Sequence, residues 1–76
     1  MYSVNMMYNK KARGYIFYIN DVNDAIGDTI KFTMSLKTIN KRNLDIIQLR
    51  DFIKENVNEY GISSGIDNVM NYYNED

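Results

Sequence analysis

The sequence has no cysteine, no histidine, no proline and no tryptophan, and alanine occurs only twice. Without cysteine there is no disulfide framework, and without cysteine or histidine the common zinc and redox sites are excluded. The missing histidine also removes the side chain most often used for acid–base work near neutral pH. No apolar run approaches the roughly 18 residues of a membrane span. The amino-terminal stretch has no charged-then-apolar secretory pattern, so the expectation is a soluble, cytoplasmic protein without a membrane partner.

The 76 residues that are present are rich in asparagine, isoleucine and tyrosine. Such usage accompanies AT-rich coding, as in low-GC bacteria and many of their phages. A chain of this length forms one domain, 1–76, with a small core. Lacking disulfides and metal, it is expected to draw support from association, with a homodimer the simplest form.

Net charge is −1, but it is unevenly spread. Residues 1–42 carry seven basic and three acidic side chains, for +4, and residues 43–76 carry two basic and seven acidic ones, for −5. Asymmetry of this kind bears on partners more than on fold.

One stretch, residues 43–61, has a readable start, face and stop. Asn43 is a candidate N-cap and Asp45 suits the positive end of the helix dipole. Ile46, Leu49, Ile53, Val57 and Tyr60 fall on one stripe, spaced for a helix. Gly61 is expected to stop it, with Ile62 folding back on Val57 as in a Schellman motif. Leu44, Ile47 and Phe52 miss the stripe. On the polar side Asp51, Glu55 and Glu59 repeat every four residues as an acidic ridge, with Arg50 and Lys54 on the neighbouring track. Like charges at this spacing cost a helix a few tenths of a kcal/mol. The ridge is read as a surface for a basic partner with Phe52 as its apolar contact, against two plainer readings: a ridge that is only solvated, and a core or further element that wraps round to cover Leu44, Ile47 and Phe52.

Upstream, the pattern is that of strands. Tyr2, Val4, Met6 and Tyr8 alternate with Ser3, Asn5 and Met7, as in a half-buried strand. Asn9 to Gly14 reads as a hairpin loop. Tyr15–Ile19 is apolar on both faces, as suits a central strand. Asn20 to Asp28 resembles a calcium loop only superficially: counted from Asp21, the Gly position holds Ile26 and the twelfth place holds Phe32. A turn, with one helical turn capped by Asp21 and closed by Gly27, explains it better. Thr29–Lys37 alternates again, Ile30, Phe32, Met34 and Leu36 against Lys31, Thr33, Ser35 and Lys37. Residues 38–42 read as a connector. After Gly61, Ser64 with Asp67 resembles a capping box, and Ile66, Val69, Met70 and Tyr73 keep helical spacing over 65–74, with Tyr72 off the stripe.

The assembly expected is α+β, a three-stranded antiparallel meander packed on one long helix plus a short C-terminal helix, in two layers. The long helix would cover Val4, Met6, Phe17, Ile19, Phe32 and Met34. No catalytic constellation, cofactor fingerprint or metal site is visible, and no motif matches a known family. The expected function is non-enzymatic. It is a small protein-binding module of phage or mobile-element type that occupies a host protein's basic, nucleic-acid-binding surface, as an anti-defence inhibitor of the anti-CRISPR kind would. Two alternatives are carried. One is nucleic-acid binding by the outer sheet face, with Ile16 and Tyr18 beside Lys31, Thr33 and Lys37. The other is a structural subunit that only self-assembles.

Overall fold

The computed structural model describes residues 1–23, 27 and 29–74. The chain runs β1 (Tyr2–Asn9), β2 (Gly14–Asp21), β3 (Ile30–Ser35), α1 (Leu36–Lys41), α2 (Ile46–Tyr60) and α3 (Ile62–Asn74). The strands form one antiparallel sheet in the order β1-β2-β3. Pairing is one-to-one from Tyr2 opposite Asp21 to Asn9 opposite Gly14, and from Gly14 opposite Ser35 to Ile19 opposite Ile30. The α+β architecture is the one the sequence pattern implies, with β2 in the middle.

Period two sorts the side chains of the sheet into rows across the strands. Val4, Ile19 and Ile30 form one row on the inner face, and Met6, Phe17 and Phe32 form the next. Phe17 and Ile19, on the central strand, are fully buried; Val4 and Met34 nearly so, while Met6 and Phe32 on the outer strands are half-buried. Leu49, Ile53 and Val57 of α2 and Val69 of α3 close the core from the other layer. Of the expected helical stripe, only its two ends fall short of burial: Ile46 is half-buried and Tyr60 is exposed.

Three features differ from the sequence reading, and all concern where helices begin and end. The third strand stops at Ser35, because Ser35 caps a helix. Its Oγ accepts a hydrogen bond from the Thr38 amide at 3.2 Å, and Leu36 and Lys37 are already helical. The connector expected over 38–42 is thus mostly α1, and Ile39 on it joins the core.

Asn43 does not cap α2. It ends α1 in the left-handed region at φ 54°, where asparagine is tolerated better than most residues. The Asn43 amide donates to the Asn40 carbonyl and the Leu44 amide to the Ile39 carbonyl, the bond pattern of a Schellman motif. Asp45 is the cap of α2, its Oδ1 accepting from the Ile47 and Gln48 amides at 2.9 and 3.3 Å.

The Schellman motif expected at Gly61 is absent, because α3 starts at Ile62 with no room for one. Gly61 has φ 91° and ψ 169°, a backbone that only glycine adopts readily. Its amide closes α2 on the Val57 carbonyl, and its own carbonyl accepts from the Gly65 amide at 2.8 Å to open α3. Ser63 and Ser64 consequently lie inside α3 rather than before it. The tight joint brings the two helices very close at Gly65, where a Cβ would stand 2.6 Å from both the Cα and the N of Val57.

Asp21 does organise the turn after β2, its Oδ1 accepting from the Asn23 amide at 2.9 Å. The helical turn expected to follow falls largely on residues 24–26 and 28, outside the described residues.

Candidate functional site

The acidic ridge is where α2 points away from the core. Leu49, Ile53 and Val57 fix which side of the helix faces inward, so at 100° per residue Asp51 and Glu55 point nearly straight out, and Glu59 is displaced toward α3. All three are exposed. Asp51 is met by Arg50, whose Nη2 lies 3.3 Å from its Oδ1. That pair is solvent-exposed and contributes little to stability. A shallow surface depression runs along this side, lined by Met1, Asp51, Lys54, Glu55, Asn58 and Glu59.

At the edge of that depression α2 is fastened to the sheet. Asn58 makes paired hydrogen bonds to the backbone of Tyr2: the Tyr2 amide donates to Oδ1 at 2.7 Å, and Nδ2 donates to the Tyr2 carbonyl at 3.1 Å. Nδ2 also reaches the Lys54 carbonyl at 2.9 Å. Sequence reasoning passed over Asn58, and the one signal available was weak: asparagine, a poor helix former, stands at a solvent-facing position inside a helix.

Phe52 does not join the ridge's surface as an exposed contact. It is half-buried and packs edge-on against Tyr72 and Tyr73, with ring centroids 5.2 and 6.0 Å away. Tyr72 and Tyr73 in turn meet at 5.0 Å. Phe52 is thereby accounted for as the contact that seats α3 against α2. Burial holds the Tyr73 hydroxyl above its ordinary pKa of 10.0, with a further push from Tyr72 and a partial offset from Arg42.

On the outer sheet face the register sets Asn5, Tyr18 and Lys31 in one row and Met7, Ile16 and Thr33 in the next. Asn5, Met7, Lys31 and Thr33 are exposed, and no described element covers this face. Lys37 is not on it, since it lies in α1. The Lys31 ammonium lies 5.9 Å from the centroid of the Tyr18 ring. A cation in that position occupies ring surface on which a base would otherwise stack.

Among the described residues no three acidic side chains converge into a group that could hold a metal ion, and no helix is long and apolar enough to cross a membrane. Comparison with protein-family models, with curated proteins and with solved structures finds no match to this chain.

Proposed function

We propose that this chain is a small, non-enzymatic protein-binding module that sets the Asp51, Glu55 and Glu59 ridge against a basic surface of another protein, of the kind that ordinarily holds nucleic acid. The exposure of all three carboxylates on the side of α2 opposite its buried stripe supports this reading. The like charges repeat at i,i+4, which mildly opposes the helix, so helix stability does not account for the arrangement. Complementary charge speeds encounter and selects partners. A role as a phage or mobile-element inhibitor of a host defence or nucleic-acid enzyme fits the size, the AT-rich usage and the acidic face.

The test is co-purification with a defined basic, nucleic-acid-binding host protein, followed by competition with oligonucleotide for the same surface. Changing Asp51, Glu55 and Glu59 together to lysine is expected to abolish binding while leaving the thermal midpoint within a few degrees. Unchanged affinity in that variant refutes the ridge as the contact.

The nucleic-acid alternative is less favoured. Lys37 lies off the sheet, and Lys31 already engages Tyr18. A salt-dependent shift with single-stranded oligonucleotide, lost on Tyr18→Ala, would be its signature.

A further inference from the structure

The two edges of the sheet are not alike. In an antiparallel ladder both peptide groups of a residue point to the same side, and the side alternates along the strand. The Tyr2 amide and carbonyl both go to Asn58, away from β2, whereas the neighbouring Met1 carbonyl accepts from the Val22 amide, on the β2 side. Because the β1–β2 register is unbroken, Val4, Met6 and Tyr8 share the direction of Tyr2. Among the described residues none supplies a partner to their outward groups.

An open edge is a template for another strand, and proteins ordinarily blunt it with charge, proline, a bulge or brevity. The β3 edge is six residues long, carries Lys31 and turns directly into α1. The β1 edge, Tyr-Ser-Val-Asn-Met-Met-Tyr-Asn, has eight residues, no charge, no proline and no bulge. Met7 and Tyr8 on it are 62% and 46% exposed.

We infer that β1 is the dimer interface of this protein, pairing antiparallel with β1 of a second copy about a two-fold axis at Met6 to make one continuous six-stranded sheet. Asn58 sets the register by occupying Tyr2, which leaves Val4, Met6 and Tyr8 as the open window. Only one antiparallel register uses that window completely: Met6 faces Met6 of the second copy, and Val4 faces its Tyr8. A shift of two residues in one direction leaves Val4 unpaired, and in the other it drives Tyr8 onto the occupied Tyr2. The window is thus self-complementary, as a two-fold interface must be. It is also uncharged, so two identical strands meet without like-charge opposition. The strand pairing with its flanking side chains buries on the order of 1,000 Å² in total, at the small end for a specific complex, so association in the micromolar range is expected.

The register makes the test specific. Asn5 and Met7 of opposite copies form a non-hydrogen-bonded pair, with Cα atoms about 4.5 Å apart, whereas within one strand two residues two places apart are about 6.8 Å apart. Sedimentation equilibrium of the full chain from about 1 μM to 1 mM is expected to show the mass doubling. A mixture of isotope-labelled and unlabelled chain is expected to show an intermolecular Hα–Hα contact between Asn5 and Met7. Met6→Pro removes an amide that β2 does not use, so the variant is expected to keep its fold by circular dichroism and sediment as a monomer. A monomer throughout that concentration range overturns the proposal. So does a dimer lacking the Asn5–Met7 contact, which would place the interface elsewhere. The wild-type measurements decide the matter even where the proline variant fails to fold. The acidic ridge is untouched by Met6→Pro, so failure here and failure of the ridge reading are separate results.

Discussion

Replacing Gly65 by alanine sets two opposing effects against each other. Gly65 lies in the first turns of α3, buried where that helix crosses the last turns of α2. Alanine favours a helix over glycine by about 1 kcal/mol, so propensity alone predicts a more stable protein. The added Cβ, however, would stand 2.6 Å from the Val57 Cα and N and 2.7 Å from the Asn56 carbonyl carbon. Optimal separation between such atoms is about 3.5–4.0 Å, so the overlap is roughly 1 Å. The atoms in the way are backbone and cannot rotate aside. Relief requires α3 to lift from α2, which loosens Val57 and Val69, both fully buried. Overpacking of a tight core costs about 1–3 kcal/mol or more, and a backbone clash belongs at the upper end, so the net change is destabilisation by about 2 kcal/mol. In a domain of this size that lowers the melting temperature by about 10 °C. Thermal and urea unfolding followed by circular dichroism measures it. The control is Ser64→Ala, one residue away and exposed, which gains propensity, meets no clash and is expected to melt at or slightly above the parent. A Gly65→Ala protein that melts at or above the parent temperature would show that the helices do not approach as closely as described.

Two further outcomes are expected. Asn58→Ala removes three hydrogen bonds at an exposed site, two of them to Tyr2, and should destabilise by about 1 kcal/mol. Amide exchange at Tyr2 should quicken, and an unchanged rate there would mean that Asn58 does not hold the edge. The second outcome concerns Tyr73, whose pKa is raised above 10.0 chiefly by burial. The folded state then keeps a proton that the unfolded state releases, so Tyr73 contributes stability that is complete below pH 10.0 and lost as pH rises through the folded value. Urea midpoints from pH 8 to 11 should therefore fall more steeply in the parent than in Tyr73→Phe; equal slopes would refute the assignment.

The sheet and the inner stripe of α2 were legible because they depend on simple periods. Phe32 and Met34 alternate with the exposed Lys31, Thr33 and Ser35, and Leu49, Ile53 and Val57 recur every four residues, and there burial follows the period; Ile30 keeps the alternation but is 37% exposed at the start of β3. The ends of elements were less legible because neighbouring residues offer competing signals. Leu36 and Lys37 continue the alternation of β3, yet Ser35 bonding to Thr38 turns the chain into a helix already at Leu36. Asn43 and Asp45 are both good cap residues, and only the need to end α1 first gives Asn43 the left-handed position and Asp45 the cap. The acidic ridge could be read from its spacing alone. For Phe52 the sequence left two readings open, a covered flank or an outward contact; the covering element is α3, and its seating depends on the helix crossing at Gly65. The clamp of Asn58 on Tyr2 spans 56 residues, so nothing near Asn58 in the sequence points to its partner.

That clamp also orders events during synthesis. β1 pairs with β2 early, but the outward groups of Tyr2 are fastened last, because Asn58 is translated 56 residues later. At about 5–20 residues per second, that outer edge waits several seconds with an uncharged flank and no anchor. On a crowded polysome, a neighbouring nascent chain would reach that flank before its own asparagine does.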